Sequence, residues 1–379
     1  MEVYADNAAT TPIKQPVIDK MMEIYTSHYG NPSSMHSIGR DARKYLDESR
    51  RAIAQMLGAK TNEVIFTSGA TESNNMAIKG IAYKHQHKGK HLITSKIEHH
   101  SVLHVFEQLE DEGFTVTYLD VDEQGIIDID QLKNAINDET ILVSIMFVNN
   151  EVGTVQPMYD IDDIVKQSNA LFHVDAVQAI GHLDIDFNEF SIDAMSITAH
   201  KFGGPKGVGL LLVKEGTLMN YMQLGGEQET KRRAGTENIP QIVGLTEALR
   251  LATENLDDNN IHLMSLKNLF LVKLQERSIP FEVNGSMIDT TGHVVNIYIP
   301  FIDVETMLTL LDLSNIYVSS GSACTAGSTT PSHVLAAMYD DGDRAKHSVR
   351  FSFNELNTEA EIKYIAMEIH KIYHKFKEE

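Results

Sequence analysis

The stretch HLITSKIEHHSVLHVFEQLEDEGFTVTYL, residues 91–119, decides the fold. It opens on HLITS (91–95), a short apolar run of strand length. SVLHVFEQLEDE (101–112) follows with apolar residues at helical spacing, and TVTYL (115–119) is a second strand-like run. Strand, helix and strand in so short a stretch imply a crossover between parallel strands. The alternation continues on both sides. EVIFT (63–67), ILVSIMFV (141–148), LFHVD (171–175), AMSIT (194–198) and GVGLLLV (207–213) read as strands, and DIDDIVKQSNA (160–170) as a helix. Upstream, residues 37–57 read as a helix. Ile38, Ala42, Tyr45, Leu46, Ile53, Met56 and Leu57 recur at helical spacing, and Gly58 is a stop. The class is α/β, a largely parallel sheet with helices on both faces.

The pattern changes after this region. Residues 247–277 read as one long helix or two, broken near Asn259. FEVNG, HVVNIYI, a helix near 304–313 and IYVSSGSA then suggest a compact α+β domain. The expected division is a large domain over 15–258 and a small domain over 1–14 and 259–379. A chain of 379 residues supports two domains.

Composition excludes some functions. A net charge of −21 argues against a broad nucleic-acid face, which needs clustered Lys and Arg. No window of 18 consecutive apolar residues suggests a membrane span. MEVYADNAATTP has no basic region followed by an apolar run, so no signal peptide is expected. One cysteine cannot make an intrachain disulfide, and a cytoplasmic protein is expected.

In open α/β sheets ligands bind beyond the carboxyl ends of the strands. There the sequence places Ser68-Gly69-Ala70-Thr71, then Glu98-His99-His100, Asn149-Asn150-Glu151, Asp175 with Gln178, and Thr198, His200 and Lys201. Each group alone has a bland reading. The first can be only a helix cap, Asp175 a salt-bridge partner, His99 a structural histidine and Lys201 a solvated lysine. Jointly they match what pyridoxal phosphate (PLP) needs: a Schiff-base lysine, a carboxylate facing the pyridine nitrogen, an aromatic over the ring and an anion site at a helix N-terminus. Gly203-Gly204-Pro205-Lys206-Gly207 lacks the ending of a P-loop. His100 and His104 have metal-chelating spacing, but a solvated helix face explains them better, and no metal is expected.

Cys324 lies in SSGSACTAGSTTPSH (319–333), among small and polar residues. That context reads as an exposed loop rather than core, and an exposed cytosolic cysteine is better explained as a nucleophile.

With these motifs the sequence resembles the cysteine desulfurases of the NifS/IscS type, within the class V aminotransferase group. The resemblance runs from YADNAATTP (4–12) to HSVRFSF (347–353). It is carried by GNPSSMHSIG (30–39), FTSGATESNN (66–75), EHHSV (98–102), VNNEVGTVQP (148–157), HVDAVQ (173–178), HKFGGPKG (200–207), RAGTEN (233–238) and SSGSACTAGS (319–328). It implies the fold-type I architecture of PLP enzymes, as a homodimer. Lys201 would form the Schiff base, His99 would stack on the ring and move protons, and Asp175 would pair with the pyridine nitrogen. Gln178 would bond the phenolic oxygen. Ala70, Thr71, Thr198 and His200 would hold the phosphate, with Thr236 reaching it from the partner subunit. Asn150 and Arg350 would hold the substrate carboxylate. Two departures stand out: Thr198 replaces the usual serine, and LGGEQE (224–229) the usual three-glycine form.

The activity implied converts L-cysteine to L-alanine and leaves a persulfide on Cys324. A sulfur-acceptor protein, either an iron–sulfur scaffold or a tRNA-thiolating enzyme, would take that sulfur, with no direct nucleic acid and no membrane involved. A selenocysteine lyase would share nearly every residue. An ordinary class V aminotransferase would not need Cys324. An idle scaffold on this fold would tend to lose Lys201, which is present.

Overall fold

The computed structural model describes residues 1–321, 332–339 and 342–377. Cys324 lies outside these described residues. A short strand β1 (Val3–Tyr4) precedes the helices α1 (Gln15–Ser27) and α2 (Ser37–Met56). Seven strands then form one sheet. They are β2 (Val64–Thr67), β3 (His91–Ser95), β4 (Thr115–Leu119), β5 (Thr140–Met146), β6 (Leu171–Asp175), β7 (Ala194–Thr198) and β8 (Gly209–Val213). Their order is β2-β8-β7-β6-β5-β3-β4, and every pairing is parallel except the two made by β8. Helix α3 (Ala70–His85) follows β2 and α4 (His100–Asp111) follows β3.

Position in the sheet explains composition. All residues of the inner strands β5 and β8 are buried, so both are predominantly apolar, β5 carrying only Thr140 and Ser144 as polar residues. The edge strand β4 exposes Thr115 and half-buries Val116, Thr117 and Tyr118, and alternates accordingly. Helix α2 buries Ala42, Leu46, Ile53 and Ala54 on one face, the stripe its sequence shows.

The remaining strands, β9 (Glu282–Asn284), β10 (Val294–Tyr298), β11 (Ile316–Tyr317) and β12 (Ser348–Ser352), belong to two small sheets. β9, β10 and β12 form an antiparallel sheet, and β11 pairs in parallel with β1. The N-terminal strap also joins β12, where Ser352 N donates to Ala5 O at 2.7 Å and Asn7 N to Ser352 O at 3.2 Å. Val3 and Ala5 thereby enter a core with Phe270, Val295, Phe351 and Ile365, separate from the core under the large sheet.

Several boundaries differ from sequence expectation, among them that the helix expected from residue 247 begins at Ile239 and the strand expected from 207 at Gly209. The strand expected over 141–148 ends at Met146 because the chain reverses. Val148 bridges Val155, Asn149 N donates to Thr154 O, and Gly153 takes φ +76°. The helix expected over 160–170 stops at Val165, where Ser168 Oγ turns back to Val165 O. The long helical region breaks at Asn255 rather than near Asn259. Asn255 Nδ2 donates to Leu251 O, closing Ile239–Glu254, and Leu256–Glu276 begins with Asp257 and Asp258 in its first turn.

Candidate functional site at the carboxyl ends of the strands

The segments after β2, β3, β5, β6 and β7 meet beyond the strand ends. With Ala8, Ala9 and Arg350 they line a cavity of about 370 Å³. Ala70, Thr71, His99, Asn150, Asp175, Gln178, Thr198, His200, Lys201 and Arg350 all line it.

One end is the N-terminus of α3. Gly69 caps the helix at φ +153°, without a side-chain cap. The first N–H groups of a helix have no partner within it, so they offer donors and a positive dipole end to an anion. Gly209 lets this turn approach: a Cβ there would lie 2.7 Å from Gly69 Cα. His200 stands beside it, its Nδ1 3.2 Å from Thr10 Oγ1. Burial, then Lys201 and Lys206, push its pKa down to about 4.

Lys201 follows β7 in a short 3₁₀ turn, and its Nζ donates to Ala8 O at 2.6 Å and Ala9 O at 2.9 Å. Asp175 ends β6 and is buried. Its Oδ1 accepts from Val177 N at 3.0 Å and its Oδ2 from Asn74 Nδ2 at 2.8 Å. Burial raises its pKa, opposed by these hydrogen bonds and by Lys201.

Asn74 Nδ2 also donates to Ser101 Oγ at 2.9 Å, and that hydroxyl lies 2.8 Å from His99 Nδ1. A continuous line therefore joins Asp175 to His99. His99 Nδ1 accepts from Ser101 N at 3.1 Å, so a neutral ring carries its proton on Nε2. Burial, followed by Lys201 and His100, lowers the His99 pKa to about 4, which keeps the ring neutral.

Arg350 is fully buried on β12. Its Nη2 donates to Asp6 Oδ1 at 2.8 Å and its Nη1 to Asn150 O at 3.0 Å. Its buried Nε has no hydrogen-bond partner among the described residues. Thr236 is not in this cavity. It lies exposed beside a neighbouring cavity of about 230 Å³, which shares Ser68 and Gly207 with the first.

Sequence reasoning missed Asn74, Ser101 and Asp6, although each falls inside a motif it singled out. Asn74 lies inside α3 and Ser101 in the first turn of α4, and only the packing of those helices shows that they face the site.

The donor set fits PLP. Helix N–H groups and hydroxyls suit a phosphate, a buried carboxylate suits a pyridinium nitrogen, and a carboxamide suits a phenolic oxygen. Arg350, with an N–H to spare, suits a carboxylate. Fold and site thus define a PLP-dependent enzyme with the fold-type I architecture.

Comparison with known proteins agrees. The family model described as aminotransferase class-V matches residues 3–365. A cysteine desulfurase IscS of Methanosarcina thermophila is 45% identical over 99% of this chain and 93% of its own. A solved structure titled NifS-like protein superposes with a TM-score of 0.93 at 36% identity, covering 98% and 99% of the two chains. Another, titled SspA in complex with cysteine, gives a TM-score of 0.82 at 35% identity over 94% of this chain and 100% of that one. The chain belongs to the class-V aminotransferase family, among its cysteine desulfurases, and PLP is its cofactor. Among the described residues no helix is long and apolar enough to cross a membrane.

Proposed function

We propose that the protein takes sulfur from L-cysteine, releases L-alanine and holds the sulfur as a persulfide on Cys324 for an acceptor protein. The observation that carries this reading is the convergence of Lys201, Asp175, His99 and Arg350, from separate stretches of chain, on one cavity. The names of the relatives and the cysteine complex of one of them support the substrate.

The roles follow from the atoms. The α3 N-terminus at Ala70 and Thr71, with Thr198 and His200, binds the phosphate. Lys201 Nζ anchors the cofactor, Asp175 sets a negative charge against the pyridine nitrogen, and Gln178 bonds the phenolic oxygen. When bound, PLP supplies an electron sink for negative charge at the substrate α carbon. Arg350 and Asn150 orient the substrate carboxylate. Lys201 Nζ and the neutral His99 move the α proton. The Cys324 thiolate attacks the substrate sulfur: a sulfur–sulfur bond forms, the carbon–sulfur bond breaks, and its electron pair stays on carbon, which takes up a proton to give alanine. The enzyme is left with one extra sulfur.

An iron–sulfur scaffold or a tRNA-thiolating enzyme suits the acceptor, and the cytoplasm suits a chain that needs a free thiol. A homodimer is supported by exposed Tyr25, Tyr29 and Met35 near α1 and α2, and by Thr236 standing outside its own chain's cavity. The division into 15–258 and 1–14 with 259–379 is supported by the two separate cores. The test is mass spectrometry after addition of L-cysteine. The wild type should gain one sulfur that a thiol reductant removes. Cys324→Ser should gain none, release almost no alanine or sulfide, and keep its bound cofactor. Sulfide release by Cys324→Ser at the wild-type rate would overturn the persulfide step.

A further inference from the structure

Behind Lys201 lies a second, smaller cavity of about 30 Å³, lined by His182, His293, Asn7 and Lys201 itself. The imidazoles of His182 and His293 stack face to face, centroids 3.7 Å apart and planes 4° from parallel. His293 reaches toward the first cavity as well, with its Nε2 3.0 Å from Gln178 Oε1.

Hydrogen-bond logic fixes this pair. The Gln178 amide nitrogen lies 3.0 Å from Ala8 O, which can only accept, so that atom is the NH₂ group. The atom facing His293 is therefore the amide oxygen, and His293 Nε2 must carry the proton. His293 Nδ1 is then an acceptor. It is sealed from solvent and has no partner among the described residues.

Asn7 repeats the pattern. Its Nδ2 faces Ser352 O, Tyr4 O and Asn357 Oδ1, which leaves Oδ1 as a second sealed acceptor without a described partner. His182 Nδ1 is likewise sealed and without a described partner. A site for one water needs roughly 10–15 Å³ and two to four polar partners. This cavity has room for about two.

We propose that the small cavity binds ordered water donating to His293 Nδ1 and Asn7 Oδ1, and that this water makes His293 a positioning residue for Gln178. By holding His293 in the Nε2–H tautomer, the water lets that ring grip the Gln178 oxygen. The Gln178 NH₂ is thereby turned toward the larger cavity, where it meets the phenolic oxygen of the cofactor. Both rings stay neutral for this purpose: burial lowers the His182 pKa to about 4 and holds the His293 pKa well below the ordinary imidazole value, with His182, Lys267, Arg350 and Lys201 adding to the effect on His293. The positioning role rests on the assignment of Gln178 made above, whereas the water site does not.

Three measurements on the holoenzyme test the inference. A high-resolution crystal structure should show water within hydrogen-bond distance of His293 Nδ1 and Asn7 Oδ1, and a dry cavity overturns the water site. Nitrogen NMR, assigned by difference with His293→Gln, should report the Nε2–H tautomer, and an Nδ1–H tautomer overturns the positioning. His293→Phe keeps the stack but loses the donor. It should bind PLP about fivefold more weakly, the loss of one neutral hydrogen bond, and shift the visible absorption of the bound cofactor. His293→Gln restores a donor and should return both toward wild type. Gln178→Ala separates the two layers of the argument. If it shifts the spectrum and His293→Phe does not, the positioning is wrong and the Gln178 role stands. If neither shifts, the Gln178 role fails and the positioning fails with it.

Discussion

The two walls of the large cavity are built in different ways. At the carboxyl ends of the sheet, Thr71, His99, Asp175, Thr198 and Lys201 each stand within a few residues of a strand terminus. Their geometry is set by the strand ladder and by helix caps close in sequence. On the opposite wall, Ala8 and Ala9 come from the N-terminal strap and Arg350 from β12, with Asp6 of the strap paired to Arg350. The Arg350–Asp6 pair joins residues 344 positions apart. That wall exists only because the strap adds to β12. The sheet wall is therefore set locally, and the wall proposed to hold the substrate depends on long-range pairing.

The comparison breaks most directly at Lys201. Lys201→Ala removes the cavity-lining lysine in the turn directly after β7 on the sheet wall. Desulfurase activity should fall by several orders of magnitude and the cofactor's visible absorption should change. Near-normal sulfide release from this variant would mean that the sheet wall does not carry the chemistry.

Arg350→Lys probes the other wall. The charge facing Asp6 survives and the planar fork is lost. Catalytic efficiency should drop by about 10- to 100-fold, the range for a lost hydrogen bond to a charged group. The loss should fall mainly on KM for L-cysteine, and the cofactor spectrum should be unchanged. A spectrum altered as much as in Lys201→Ala would show that the walls are not separable.

Legibility followed the same division. Strands β3, β4, β6 and β7 lie where the sequence places them, β3, β6 and β7 as largely apolar, almost fully buried strands and β4 as an alternating edge strand. The side chains at their ends could be read off in order. Asp6 could not. Nothing near YADNAATTP says that its carboxylate meets an arginine from β12, since no local period encodes a pairing across the chain. Asn74 was hidden differently. It lies inside α3 within a helical pattern, and its role appears only once α3 packs against β6 and α4.

Asn74→Ala sharpens the reading of the sheet wall. The variant leaves Asp175 Oδ2 and Ser101 Oγ without their shared donor. Activity should fall by about five- to tenfold, as expected for one buried hydrogen-bonding group. Asn74→Asp should do worse, because it sets a second carboxylate against Asp175. Steady-state rates of both variants, with cofactor content measured alongside, decide this. An Asn74→Asp enzyme as fast as wild type would show that the line from Asp175 to His99 carries no energetic weight.

The smallest expected effect concerns Glu98, buried behind the same wall. Its Oε1 accepts from Ser95 Oγ at 2.6 Å and Met146 N at 3.0 Å, and its Oε2 has no partner among the described residues. Burial raises its pKa from the ordinary 4.5 to about 8, with Asp175 adding to the effect. The folded state thus holds a proton here that the unfolded state loses near pH 4.5. The stabilisation is complete below that pH and drains away as pH rises toward 8. Glu98→Gln is neutral at every pH and keeps the oxygen that accepts both bonds. Its turnover at neutral pH should stay close to wild type. Its stability, from urea midpoints at pH 5, 6.5 and 8, should decline less with pH, with a gap on the order of 1–3 kcal/mol at pH 8. Parallel curves would mean that Glu98 is ionised like a surface carboxylate. A widening gap would mean that Asp175 is the only carboxylate charge of this pair at neutral pH, which is what pairing with one pyridinium nitrogen requires.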